Sequence, residues 1–158
     1  MKIRKANNSD LIHISSVSKT TWNATYNGIL SQKFIDEFIE KAYSIEKLKV
    51  RLEKSILYVA QEHNEIVGFI NISNGINGIF ELVALYVLPK FQGKGIGRML
   101  LENSIQNMEN IIQISVNVEQ DNANAIKFYD NNGFKEIEYF EEVFLGEVLK
   151  TVKMVRYI

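Results

Sequence analysis

Residues 79–118 constrain the fold more than any other part of the chain. IFELVALYVL (79–88) is rich in β-branched and aromatic residues and reads as a strand. It runs through Pro89 into QGKGIG (92–97). A helical stretch follows from Gly95 to about Asn110, with Gly97, Leu100, Leu101, Ser104, Ile105 and Met108 within one arc, and IIQISVNV (111–118) reads as another strand. Strand, helix, strand at this spacing is a crossover between parallel neighbours.

The flanking segments are of other kinds. KIRKA (2–6) alternates as a short first strand. Ser9 is positioned to cap a helix to about Tyr26, with Leu11, Ile14, Ser18, Thr21, Trp22 and Thr25 on one side and Gly28 beyond its end. Ser31 starts a second helix with an apolar stripe of Phe34, Ile35, Phe38, Ile39 and Ala42, opposite Asp36, Glu37 and Glu40. Ser44 starts a third helical piece, to about Lys54. ILYVAQE (56–62), the turn His63–Asn64 and EIVGFINIS (65–73) read as a hairpin. Asn122 to Asn132 is a helix ended by Gly133, and two strands around Gly146 close the chain. The expected architecture is α/β in the broad sense (α+β). It has a mixed, mostly antiparallel sheet of about six to seven strands, with helices on both faces. No repeat or linker divides residues 1–158, so one domain is expected.

Composition narrows the function. The net charge is −1 and no basic stripe stands out, so nucleic acid is not an expected partner. No apolar run is long enough to span a bilayer, and MKIRKANNSD turns polar too soon for a signal peptide; a cytoplasmic location is expected. There is no cysteine, which excludes disulfides, cysteine-ligated zinc and a thioester on the protein. The two histidines, His13 and His63, are far apart, and no metal is expected.

The glycines pose the functional question. A strand opens through a glycine-rich loop into a helix whose first amides have no internal partners and carry the positive end of the dipole. Gly93, Gly95 and Gly97 leave room for an anion, with Lys94 and Arg98 adding positive charge. This reads as a phosphate or pyrophosphate site; packing glycines in a tight turn are the plainer alternative. Lys94 is not followed by Ser or Thr as in a Walker loop, and G-x-G-x-G is not the dinucleotide spacing.

The stretch Q-x-x-G-x-G, Gln92 to Gly97, after a strand ending Val-x-Pro resembles the acetyl-coenzyme A signature of the GNAT N-acetyltransferases. VEQDNANAIKFYDNNGF (118–134) resembles the later block of that family, N-x-x-A-x-x-[FL]-Y-x-x-x-G-F, matched at Asn122, Ala125, Phe128, Tyr129, Gly133 and Phe134. Asn122, Ala125 and Tyr129 share one helix face, with a small residue between amide and phenol. The element order of the whole chain follows the family.

The resemblance implies acetyl transfer from acetyl-coenzyme A to a primary amine by direct attack in a ternary complex. It implies a bulged, splayed signature strand whose backbone holds the cofactor: Leu85 the thioester oxygen, Val87 the pantetheine arm, with Tyr86 between them. Gln92, Gly93, Lys94, Gly95, Ile96, Gly97 and Arg98 would hold the pyrophosphate, and Asn122, Ala125 and Tyr129 would line the arm. Tyr129 is implied as general acid, since a phenol of pKa ~10 can protonate a thiolate of pKa ~8.5. Strand alternation puts Glu81, Val83, Leu85 and Val87 on one face, which makes Glu81 the candidate base, acting through water. A solvated strand-end glutamate is the alternative.

TTWNATYNGIL (20–30) resembles a stretch found in small bacterial members, some assigned to polyamines and some to protein N-termini. Trp22 and Tyr26, at i and i+4, are core packing on physical grounds and candidate walls of the acceptor groove by resemblance. The expected partner is a small-molecule amine, a small amine or polyamine being favoured over a protein N-terminus, and a homodimer is one expected state. A non-catalytic acyl-coenzyme A sensor is the rival class.

Overall fold

The computed structural model describes all residues from Met1 to Ile158. In chain order they form β1 (Lys2–Lys5), α1 (Leu11–Tyr26), α2 (Gln32–Tyr43), α3 (Ile45–Lys54), β2 (Ser55–Glu62), β3 (Glu65–Ser73) and β4 (Ile79–Val87). There follow α4 (Ile96–Gln106), β5 (Gln113–Glu119), α5 (Ala123–Asn131), β6 (Lys135–Phe144) and β7 (Glu147–Tyr157). One seven-stranded sheet runs β1-β2-β3-β4-β5-β7-β6. Only β4 and β5 pair in parallel, as the crossover through α4 requires. No helix is long and apolar enough to cross a membrane.

Two apolar layers sandwich the sheet. On one face Ile96, Leu100 and Leu101 of α4 and Tyr129 of α5 pack with Leu82, Val116 and Met154. On the other, Leu11, Ile14 and Val17 of α1, Tyr43 of α2 and Leu48 of α3 pack on Val59, Phe69 and Ala84. A smaller aromatic group, Trp22, Phe34 and Ile35, extends this second layer toward Leu145 and Leu149 of the last hairpin.

The central irregularity is in β4. Asn71 of β3 lies opposite Ala84 and Ile72 lies opposite Leu82, so Val83 is an extra residue with no partner. A bulge of this kind bends the strand and reverses its alternation. Leu82 and Val87 face α4, whereas Ala84 faces α1. The strand then parts from β5. Pairing runs from Ile79 opposite Gln113 to Leu82 opposite Val116 and stops. Beyond that point the sheet is forked.

Three local expectations differ. Ser9 does not cap α1: Asn7 caps a short 3-10 turn at Asn8–Asp10, accepting from the Ser9 N–H at 3.0 Å. Asp10 then joins strand to helix, accepting from the Asn7 N–H at 2.8 Å and from both Arg4 guanidinium nitrogens at 2.7 and 2.9 Å. α4 stops short of Asn110, because Asn107 ends it with its side-chain amide donating to the Asn103 carbonyl at 2.8 Å. β5 starts at Gln113, two residues later than expected, after Asn110 turns the chain with φ 55°.

The Asp10 side chain is 5% exposed, and its hydrogen bond to Arg4 holds its carboxyl below the usual carboxylate range. Asp10→Ala should cost about 2–4 kcal/mol at neutral pH. A depressed folded-state pKa means this stabilisation is complete above the unfolded value of ~3.9 and is lost as pH falls through the folded value. Urea unfolding of both proteins at pH 7 and near pH 2 should therefore show the gap closing in acid; a constant gap would refute the ion pair as its source.

Candidate active site

The fork opens a cavity of about 900 Å³, within the range of small-molecule sites. One wall is the freed length of β4, Val83 to Val87. The facing wall is Val116 to Val118 of β5. The glycine loop and the start of α4 close one end, α5 forms a side, and Thr21, Trp22 and Tyr26 of α1, with Ile29 just beyond it, close the other end.

Backbone direction along β4 follows from one bond. The Leu88 N–H donates to the Val67 carbonyl at 2.8 Å, so Leu88 faces β3. By alternation Tyr86 and Ala84 face β3 as well, and the amides of Leu85 and Val87 face the fork. The Val87 carbonyl is not free, however: the Gln92 side-chain amide donates to it at 2.8 Å. Gln92 therefore folds the loop back onto the strand. Tyr86 belongs to the cavity wall as well. Its ring packs in the α1 layer, partly buried, with its hydroxyl 3.0 Å from that of Tyr43. Burial pushes the Tyr86 phenol well above its ordinary pKa.

The three glycines have two different reasons. Gly93 and Gly95 have φ of +78° and +81°, and a Cβ on either would meet nothing within 4 Å. They are needed for backbone shape, and the space beside them is open. Gly95 is the N-cap of α4 and supplies no side-chain cap, which leaves the first amides of that helix to the cavity side. Gly97 has an ordinary helical backbone, but a Cβ there would lie 3.1 Å from the Phe128 ring. Its missing side chain lets α4 approach α5, while the residue itself also lines the cavity. Arg98 is the only cationic residue in the cavity wall. Lys94 lies outside the wall, its ammonium 5.2 Å from the centre of the Phe91 ring.

Tyr129 is 6% exposed, with its ring packed edge-on to Phe128 and Phe134. No protein group hydrogen-bonds its hydroxyl, and the residue lines the cavity. Burial holds this phenol well above its ordinary pKa. Asn122 caps α5, accepting from the Ala125 N–H at 3.2 Å, and donates to the Tyr26 hydroxyl at 3.4 Å. That bond ties α1 to α5 across the cavity. Trp22 stacks on Phe38 at 4.2 Å between ring centres and touches Tyr26 at 4.4 Å. The pair is thus both core and wall. Two buried atoms of α1, Thr21 Oγ1 and Trp22 Nε1, have no partner.

Glu81 is not brought into this cavity. Its neighbours Phe80 and Leu82 pack in the α4 layer, so its side chain projects to the α1 side, opposite Leu85 and Val87. The expected common face fails because Val83 is the bulged residue. Glu81 lines a separate cleft of about 270 Å³ with Ser115, Asn117, Glu138, Phe140 and Lys153. Asn117 borders both spaces. The β5 wall and Thr21 carried no signal in the sequence, since strand parting depends on pairing partners rather than on residue type.

A family model described as acetyltransferase (GNAT) domain matches residues 21–157. The spermidine N(1)-acetyltransferase of Thermoplasma acidophilum is 33% identical over 143 residues, 85% of this chain and 88% of that protein. The crystal structure of the PaiA N-acetyltransferase from Thermoplasma acidophilum in complex with coenzyme A has a TM-score of 0.88 at 27% identity, over 99% of this chain and 98% of that one. The ribosomal-protein-S18-alanine N-acetyltransferase of Escherichia coli, 18% identical, shares the fold with a TM-score of 0.76 over 99% and 93% of the two chains. The chain belongs to the GNAT acetyltransferase family. It is an acyltransferase, as the resemblance in its sequence implied.

The two kinds of glycine separate by stability. Gly97→Val should cost about 1–3 kcal/mol through the Phe128 contact, and Gly95→Ala about 1–2 kcal/mol through its positive φ alone. Adding Phe128→Leu should recover part of the Gly97→Val loss in urea unfolding and none of the Gly95→Ala loss. Equal response of both variants would refute the distinction.

Proposed function

We propose that this chain acetylates a primary amine from acetyl-coenzyme A by direct attack in a ternary complex, with a polyamine or other small amine as acceptor. The fork carries the reading. It brings an unpaired strand edge and an uncapped helix N-terminus to one cavity, and on the far side an aromatic wall. When bound, acetyl-coenzyme A supplies an activated acetyl group and a thiolate leaving group. The amides from Gly93 to Arg98, with the Arg98 guanidinium, fit its pyrophosphate. The open space beside Gly93 and Gly95 fits a ligand at backbone distance. The Leu85 amide would hold the thioester oxygen. The pantetheine arm would run along Val87, whose carbonyl must first exchange the Gln92 amide. Ala125 leaves room on the α5 side.

Tyr129 would protonate the departing thiolate. Its free hydroxyl and burial support this role, because a raised pKa keeps the proton in place until charge develops beside it. The same free hydroxyl argues against a non-catalytic sensor. Asn122 would hold Tyr26 and the start of α5 in position. The base role expected of Glu81 needs a water relay past Asn117.

A small acceptor is favoured over a protein N-terminus by the way the groove is closed. Ser31, between α1 and α2, donates to Glu147 at the tip of the last hairpin, and Leu145 packs on the Trp22 group. The name of the spermidine-acetylating relative supports the same class. A second copy of the chain would not add along the open edge: β6 carries Glu136, Glu138, Glu141 and Glu142, which repel one another in antiparallel pairing. A cytoplasmic location belongs to the same reading.

Thiol release from acetyl-coenzyme A with an amine panel tests the activity, and calorimetry tests cofactor binding. Tyr129→Phe should lower kcat by about 10²–10⁴-fold with cofactor affinity little changed. Full activity in the variant would return Tyr129 to the core. In wild type, kcat/KM should rise with pH as free amine increases, and should not fall below pH ~10, because Tyr129 stays protonated beyond the ordinary tyrosine value. A descending limb centred below pH ~9 that vanishes in Tyr129→Phe would refute the burial argument.

A further inference from the structure

The small cleft beside the cavity is a site in its own right. Its floor crosses four strands on the α1 side: Glu81 of β4 opposite Ser115 of β5, Asn117 opposite Lys153 of β7, and Lys153 opposite Glu138 of β6. It contains two carboxylates and one ammonium, and Lys153 makes no ion pair with either glutamate. The cleft is therefore net negative and its charges are unmatched. Ser115 is 9% exposed, yet its hydroxyl has no protein partner and the residue lines the cleft. The hydroxyl of this nearly buried residue is accessible from the cleft, where it can meet a polar ligand group.

Resting on the acetyltransferase reading, we infer that this cleft is the distal acceptor subsite. It holds a second ammonium of the amine substrate on Glu81 and Glu138, with the Ser115 hydroxyl accepting a hydrogen bond. Glu81 is then an anchor that selects substrate length, in place of a base. Geometry sets that length. Glu81 and Leu85 are four residues apart on one strand, roughly 10–13 Å once the bulge at Val83 is allowed for. Three single bonds of an extended chain advance about 3.8 Å, so roughly eight to ten bonds join an amine at Leu85 to an ammonium at Glu81. A linear triamine or a long α,ω-diamine meets this; a short diamine does not. Asn117, which borders both spaces, is the point where the chain would pass.

A ladder of α,ω-diamines from 1,4-diaminobutane to 1,10-diaminodecane, each paired with its monoamine, measures the subsite. In wild type the kcat/KM preference for diamine over monoamine should peak near 1,8-diaminooctane. Glu81→Gln should reduce that preference about tenfold, mainly through KM, and Glu138→Gln should reduce it in the same sense. Calorimetry of 1,8-diaminooctane with the protein alone gives a readout independent of turnover and should weaken in both variants. If Glu81→Gln lowers kcat for diamine and monoamine equally, Glu81 is a base and the anchor is overturned. A flat ladder with good monoamine turnover overturns the subsite and leaves the acetyltransferase standing. Absence of all turnover would remove the acetyltransferase reading, and the calorimetric comparison would still decide the cleft: equal binding by wild type and variants overturns it.

Discussion

Everything functional in this molecule depends on β4 and β5 ceasing to pair after Leu82 and Val116. A parallel pair that continued would satisfy its backbone groups internally and leave no cavity. The extra residue Val83 bends β4 at that point. The crossover through α4 fixes β5 next to it at the start but supplies nothing to hold the far ends together. The core tolerates the gap because β3 still pairs β4 on one side, and β7 pairs β5 along its whole length, from Gln113 to Glu119. Each strand of the fork is thus anchored by its other neighbour. The opening is rigid because its two edges belong to firmly paired halves of the sheet.

Much of this was legible in the residues. The strand–loop–helix–strand order of 79–118, the hairpin turn at His63 and the helix opened by Asn122 follow from periodicity and capping chemistry. Gly95 as the helix start and Tyr129 on the Asn122 face follow from local spacing alone. The position of Glu81 was not legible, because a bulge is a fact about two strands. Only the register of β3 against β4 reveals that Val83 is unpaired and that alternation reverses there. The reason for Gly97 was hidden in the same way: it lies in Phe128, thirty-one residues further along the chain. Gln92 looked like part of a ligand-binding signature, and its amide proves also to be a brace on the Val87 carbonyl.

Electrostatics divides the site along its length. At the α4 end the wall carries Arg98 and free amides, suited to an anion. In the middle the groups are neutral, and burial raises the pKa of Tyr26, Tyr86 and Tyr129 together. A row of phenols that resist ionisation gives hydroxyls without adding charge, which leaves this stretch of the cavity neutral. The cleft of Glu81 and Glu138 lies beyond, with the opposite sign from the loop.

Trp22 is the only tryptophan in the chain, and it stands in the cavity wall between Tyr26 and Phe38. Its indole N–H is buried without an acceptor. Emission excited selectively in tryptophan, apart from the seven tyrosines, thus comes from one side chain that stands in the cavity wall beside the Tyr26–Asn122 tie. Light emitted by this residue reports on the working part of the molecule and on no other, so the wild-type chain carries its own optical probe.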